Sequence, residues 1–189
     1  MSYFPMMMEL DRKPVLVVGG GREGTQKIKV LKQFGCVITL ISIEATKEAI
    51  EASDIYHKRA FEESDVDDGF SLIVSATGER DIDVRISRLA KEKRIPVNIV
   101  DNTELCTFIF PAIIKDREVV IGVSSGGKSP YLVQYVKKLI ISHLPPNIGY
   151  INDRMGEYRI FAKENFKDIN ERRKFLKEKL DEFISNGND

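Results

Sequence analysis

Only two of the 189 residues are cysteine and two are histidine, a scarcity that closes off several kinds of chemistry. Cys36 and Cys106 lie far apart with no CxxC spacing, so neither a zinc site nor a disulfide framework is indicated. Reduced thiols suit a cytoplasmic protein. His57 and His143 are isolated, no paired-histidine metal motif exists, and no metal is expected. Net charge is missing too: 29 basic residues balance 29 acidic ones. No long-range field therefore draws in nucleic acid or a membrane surface, and any charged ligand must meet a local cluster. Long apolar runs are also absent. Met6-Met7-Met8 is short, runs on to Glu9 and Asp11, and lacks the basic start and apolar length of a signal peptide. No later stretch approaches a membrane span. The length fits one main domain of about 100–150 residues with a smaller appendage.

What is present is the decapeptide VLVVGGGREG, Val15 to Gly24, in which four apolar residues run directly into Gly19-x-Gly21-x-x-Gly24. That junction is what a dinucleotide-binding strand-turn-helix requires. Gly19 lets the chain turn, Gly21 lets the backbone approach a pyrophosphate, and Gly24 lets the helix pack close to its strand. Gly20, Arg22 and Glu23 complete the loop, and the helix N-terminus offers its N–H groups to the anion. The amphipathic stretch Thr25–Phe34 supplies the helix, and the alternative is a glycine-rich turn with no ligand.

The rest of the first half alternates strand and helix. Strands are expected at Val15–Val18, Val37–Ser42, Ile55–Lys58, Phe70–Ala76 and Pro96–Val100, with a helix at Asp81–Lys93 and Gly35 ending the first helix. The fold class is α/β: a Rossmann-like, doubly wound parallel sheet binding its ligand at the carboxyl ends of the strands. After Asp101 the pattern changes. Thr107–Ile114 and Glu118–Val123 read as an antiparallel hairpin, and Ser129-Pro130 opens a helix bearing Leu132, Val136, Leu139 and Ile140 on one face. From Gly149 the chain is charged and helix-permissive, with Phe161, Phe166, Ile169, Phe175, Leu180 and Phe183 as its apolar residues. The expected organisation is a nucleotide domain over 1–109, a hairpin-plus-helix segment over 110–145 and a small helical region over 146–189.

Ser42-Ile43-Glu44 ends the second strand. Glu44 lies about twenty residues after Gly24, the spacing of a ribose-binding acid, and no arginine adjoins it, so NAD is favoured over NADP. The alternative places Glu44 in the first turn of the next helix. Thr77, in Ser75-Ala76-Thr77-Gly78, either touches the nicotinamide side or belongs to a plain turn. Asp101 ends the Asn98-Ile99-Val100-Asp101 strand. A carboxylate there acts as a general base when burial tunes it, although Asp-Asn is also an ordinary turn pair. Gly122 to Ser129 spells out GxxxxGK[ST], the NTPase phosphate loop, but a hairpin strand precedes it, proline follows it, and no later strand supplies a magnesium-steadying aspartate. The better reading is an anion-holding loop in which Ser124, Ser125, the Gly126 and Gly127 amides and Lys128 meet substrate carboxylates.

Taken in order, Ser2-Tyr-Phe-Pro5, VLVVGGG from Val15, SAT at Ser75, VNIVD from Val97, FPAII from Phe110 and VSSGGKSP from Val123 resemble the siroheme synthase family over roughly residues 1–145. That resemblance implies NAD-dependent oxidation of precorrin-2 to sirohydrochlorin, a step of porphyrin and sirohaem biosynthesis. Asp101 is then the catalytic residue, and Arg22, Glu23, Ile43 and Glu44 border the dinucleotide. The resemblance also implies a homodimer built by the segment Phe110–Leu144, with Lys115 or Arg117 near its seam helping to hold a polyanionic tetrapyrrole. Some members are also sirohydrochlorin ferrochelatases. The lack of metal-ligand spacing favours dehydrogenase activity alone, with the bifunctional enzyme and a non-catalytic NAD-sensing module as alternatives. No methyltransferase extension is seen, so that third activity is not expected.

Overall fold

The computed structural model describes residues 3–186; Ser2 of the opening motif and residues 187–189 of the expected helical region lie outside the described residues. Two compact units divide the chain, Met1–Phe110 and Pro111–Asp189.

The first unit alternates β1 (Pro14–Gly20), α1 (Arg22–Lys32), β2 (Val37–Ala45), α2 (Lys47–Ala52), β3 (Ile55–His57), β4 (Leu72–Ser75), α3 (Arg80–Glu92) and β5 (Val97–Ile99). Its five strands are parallel, in the order β3-β2-β1-β4-β5. The reason lies in β1, which is apolar at each position from Val15 to Val18 and so must be covered on both faces. Val15 and Val17 enter one core with Ile28 and Leu31 of α1; Leu16 and Val18 enter the other with Ile86 and Ala90 of α3. Chain order reverses between β1 and β4, which places a ligand crevice at their carboxyl ends.

Several local choices follow from single residues. Gly35 takes φ +72 just after α1, a conformation that side chains resist, and a Cβ there would run into the Asp11 carboxylate. Strand β2 continues to Ala45 and Thr46 caps α2 by accepting the Ala49 N–H at 3.0 Å. Glu44 therefore ends a strand and does not sit in a helical turn. The helix that the alternative reading required after β2 is present as α2, but it starts at Lys47, beyond Glu44.

In the second unit β6 (Ala112–Asp116) and β7 (Val119–Val123) form an antiparallel hairpin, followed by α4 (Pro130–His143), α5 (Ile148–Asn165) and α6 (Ile169–Asn186). The first hairpin strand begins at Ala112 and not at Thr107. Residues before it are spent on β5: Thr107 N–H donates to Val97 O, Val97 N–H to Thr107 Oγ1, and the Asn98 amide to Phe108 O. Ser129 caps α4, accepting the Leu132 N–H at 3.2 Å with Pro130 at the first helical position. Asp116 accepts the Gly149 N–H at 2.6 Å at the start of α5. The α5–α6 pair is held by Tyr158, Phe161, Phe166, Phe175 and Phe183, with ring centroids 5.3–6.4 Å apart, whereas Ile169 and Leu180 remain exposed. Among the described residues no helix is long and apolar enough to cross a membrane.

One ion pair of the first unit has a clear pH signature. Burial raises the pKa of the Asp65 carboxyl, but the Arg59 guanidinium at 2.5 and 2.8 Å and the Glu62 N–H at 2.7 Å outweigh it and hold the group below the usual carboxylate range. A depressed folded-state pKa contributes stability that is complete above the unfolded value, about 3.9, and is lost as pH falls through the folded one. Asp65→Asn is therefore expected to lower the urea midpoint at neutral pH, with the gap from wild type narrowing below about pH 4. A gap of constant size in urea titrations across that range would contradict the assignment.

Candidate functional site

The glycines of the β1–α1 loop do different work. Gly19 turns the chain at φ +98, and a Cβ on it would sit 2.6 Å from the Ala76 carbonyl carbon. A Cβ on Gly24 would run into the Gly19 carbonyl, so its absence is what lets α1 start hard against the end of β1. A Cβ on Gly21, by contrast, would meet nothing within 4 Å, because that side of the loop opens onto a crevice. A Cβ on Gly20 would run into Ala45, so Gly19, Gly20 and Gly24 serve packing while Gly21 faces open space.

Hydroxyl groups lock this loop in place. Ser42 Oγ accepts the Gly20 N–H at 2.9 Å and donates to Glu44 O at 2.6 Å, while Thr46 N–H donates to Gly20 O at 2.9 Å. Thr25 Oγ1 donates to Gly21 O at 2.7 Å and lies 2.7 Å from Thr46 Oγ1. Since the single Thr25 proton goes to Gly21, Thr46 is the donor in that pair. Ser42 lies within β2, three residues before its end and not at it, and its hydroxyl is committed to the loop. The helix-start amides of Arg22, Glu23 and Gly24 have no intrahelical acceptor and favour an anion.

The crevice holds about 850 Å³ and is walled by Gly21, Arg22 and Glu23 on one side and by residues 100–104, including Asp101, on another; Thr77, Arg80 and Asp83 complete it. Asp83 is buried and its Oδ1 accepts from Ser75 Oγ at 2.6 Å and Thr77 Oγ1 at 2.8 Å. Thr77 Oγ1 also accepts the Glu79 N–H at 3.1 Å, so its hydroxyl is already engaged within the loop. Asp101 is exposed, not buried, and sits in a turn closed by Asn102 N–H donating to Ile99 O at 3.3 Å. Its φ of +60 is a strained choice for a residue with a Cβ, costing about 1 kcal/mol. Carboxylates of Glu23, Asp83, Asp101 and Glu104 share the crevice with the Arg22 and Arg80 guanidiniums, a mixed lining able both to take protons and to pair with anionic substituents.

A second pocket of about 330 Å³ lies at the end of β2, lined by Ile43, Glu44, Ala45, Ile50, Tyr56 and Lys58. Its apolar wall beside an acid suits a nucleoside. Tyr56 and Lys58 come from β3 and its end, since β3 pairs parallel to β2; the expected strand at Ile55–Lys58 is the signal that points to them.

Ser124, Ser125 and Lys128 belong to the second unit, between β7 and α4. Gly126 N–H donates to Ser124 Oγ at 3.1 Å, and Ser125 Oγ accepts the Ser129 N–H at 2.9 Å. Ser125 and the Gly126 amide therefore close the loop itself, leaving Lys128, exposed and in no ion pair among the described residues, as its outward cation. The phosphate-loop reading fails on context: Gly122 lies inside an antiparallel strand, where a Cβ would sit 3.2 Å from Pro111 Cγ. Arg117 is committed as well, pairing with Asp153 at 2.5 Å, and Lys115 Nζ donates to Arg117 O at 2.9 Å.

Comparisons with known proteins agree with this geometry. The family described as "Putative NAD(P)-binding" matches residues 6–112. The "Siroheme synthase" of Ruthia magnifica subsp. Calyptogena magnifica is 38% identical over 179 residues, covering 93% of this chain and 38% of that protein. The "Siroheme synthase" of Vesicomyosocius okutanii subsp. Calyptogena okutanii is 36% identical, covering 94% and 39%. The chain thus spans about two fifths of the length of these curated relatives. Among solved structures, "SirC, precorrin-2 dehydrogenase" shares the fold with a TM-score of 0.70 at 21% identity, covering 98% of this chain and 99% of that one.

Two glycine variants separate fold from ligand. Gly24→Ala is expected to lower stability by about 1–3 kcal/mol, through overpacking against the Gly19 carbonyl. Gly21→Ala should cost less than about 1 kcal/mol yet weaken dinucleotide binding about tenfold or more, or at least 1.4 kcal/mol. Thermal melts and calorimetric titration with NAD measure both, and equal behaviour of the two variants would refute the division of roles.

Proposed function

Since the chain belongs to the family described as "Putative NAD(P)-binding", we propose that it is an NAD-dependent dehydrogenase oxidising precorrin-2 to sirohydrochlorin. The observation that carries this reading is that the glycine loop and Asp101 wall one crevice. The siroheme synthase relatives support a tetrapyrrole substrate. The residues suit the cofactor: Gly19, Gly20 and Gly21 shape the loop, the amides of Arg22, Glu23 and Gly24 take the pyrophosphate, and Ile43 and Glu44 face the adenosine end. Glu44 accepts from ribose hydroxyls and repels a 2′-phosphate, which selects NAD.

When bound, NAD supplies the hydride acceptor. The macrocycle loses one hydrogen as hydride and one as a proton, so precorrin-2 and NAD⁺ give sirohydrochlorin, NADH and H⁺. Asp101 takes the proton, and a flat substrate lying over it removes it from water. Arg22 and Arg80 of the crevice pair with the substrate's carboxylates. Lys128 and Ser124 of the serine loop are carboxylate-binding groups of the second unit. Free Cys36 and Cys106 support a reducing, cytoplasmic setting.

The protein acts as a homodimer through its hairpin-and-α4 segment. Helix α4 buries none of its residues and leaves Tyr131, Leu132, Tyr135 and Leu139 exposed at 91, 54, 64 and 47%. An apolar face of that size marks an interaction surface.

Incubation with precorrin-2 and NAD is expected to produce NADH. NAD binding without turnover would replace the enzyme by a sensing module, and added ferrous iron separates one activity from two. Asp101→Asn should lower turnover by about 10²–10⁴-fold with NAD affinity and melting temperature retained, because asparagine tolerates positive φ at least as well. Leu139→Asp should convert a dimer to a monomer in sedimentation; a monomeric wild type at micromolar concentration would remove the dimer from the proposal.

A further inference from the structure

The turn that carries Asp101 is bracketed by a thiol. Ile99 N–H donates to Cys106 Sγ at 3.1 Å and the Asn98 amide at 3.5 Å, while the thiol proton has two carbonyl acceptors, Asn102 at 3.2 Å and Ile99 at 3.3 Å. Cys106 is thereby bonded to the residues on both sides of Asp101, across the turn that Asn102 N–H closes onto Ile99 O. Asp101 needs such support. It stands at φ +60 with an exposed side chain, so little packing opposes its relaxation to an ordinary backbone conformation. Asn98 is itself fixed, its amide also donating to Phe108 O at 3.1 Å.

We propose that Cys106, held by Asn98, is a positioning residue that keeps the Asp101 carboxylate on the crevice wall during dehydrogenation; this rests on the reading of Asp101 as the proton acceptor. Cysteine suits the post because one sulfur accepts from two N–H groups and still donates. Burial pushes the Cys106 thiol up, outweighing the Ile99 N–H and the Lys91 and Lys27 charges that pull it down. The group therefore stays protonated near neutral pH and keeps its donor.

Cys106→Ala removes both roles, and Cys106→Ser restores a donor and an acceptor. The alanine variant is expected to lower kcat about tenfold to a hundredfold, the cost of a misplaced reacting group, with KM for precorrin-2 and Kd for NAD little changed; the serine variant recovers most of the loss. In an Asp101→Asn background the alanine change should cost nothing further, because the bracket acts through Asp101. General structural damage would lower activity in both backgrounds. Without substrate, hydrogen exchange at the Ile99 and Asn102 amides should quicken about tenfold in the alanine variant while Ile73 in β4 is unaffected. Unchanged exchange at Ile99 and Asn102, or wild-type kcat in the alanine variant, overturns the bracket. A wild type that leaves precorrin-2 unoxidised overturns the assignment of Asp101, and the exchange data still report separately on the bracket.

Discussion

The nucleotide half of this protein depends on one close approach, the first turn of α1 against the carbonyl of Gly19. It exists because Gly24 has no side chain to stand in the way. The same carbonyl belongs to a residue whose own missing side chain lets it back onto Ala76 at the end of β4. Three elements therefore meet at one point with only backbone between them. The direction of the α1 amides, the mouth of the crevice and the path of the residues after β4 are all set there. An added methyl group at either position forces those elements apart.

What the sequence reveals is governed by range. The apolar run of β1, the spacing of its glycines, the stop at Gly35 and the cap at Ser129 each act over a few residues, and the structure places them as read. Glu44 depends on where a strand ends, and β2 runs far enough to keep it out of the following helix. The commitments of side-chain hydroxyls are less visible, because their partners lie elsewhere in the chain. Ser42 spends its oxygen on Gly20, twenty-two residues away, and Thr77 spends its own on Asp83 across a helix start. Neither bond can be inferred from residue type. Cys106 is read in the sequence as an isolated thiol because its acceptors are backbone groups, which leave no mark in the letters. Thr107 to Phe110 look like strand because their composition is β-favouring, yet their hydrogen bonds close the edge of β5.

The two units are stabilised differently. The first has apolar cores on both faces of its sheet. The second draws its order from the aromatic rings between α5 and α6, from the Asp116 carboxylate at the start of α5 and from the Arg117–Asp153 pair. Ile151 and Ala162 are buried in it, but helix α4 contributes no buried residue. A helix of that kind gains most of its stability from whatever covers its apolar face, since propensity alone is marginal at this length.

The hydroxyl lock on the glycine loop bears on how the protein holds a nucleotide. With the Gly20 amide committed to Ser42, a pyrophosphate is left with the helix-start amides, beside the acidic Glu23. The charge grip on the phosphates is accordingly shared out among few donors. On the proposed placement of the cofactor, much of the affinity arises at its other end, on the apolar wall of Ile43, Ile50 and Tyr56. Binding of that character has a calorimetric sign, a negative heat-capacity change. Its temperature response follows, with the hydrophobic part of the grip loosening as the protein is cooled.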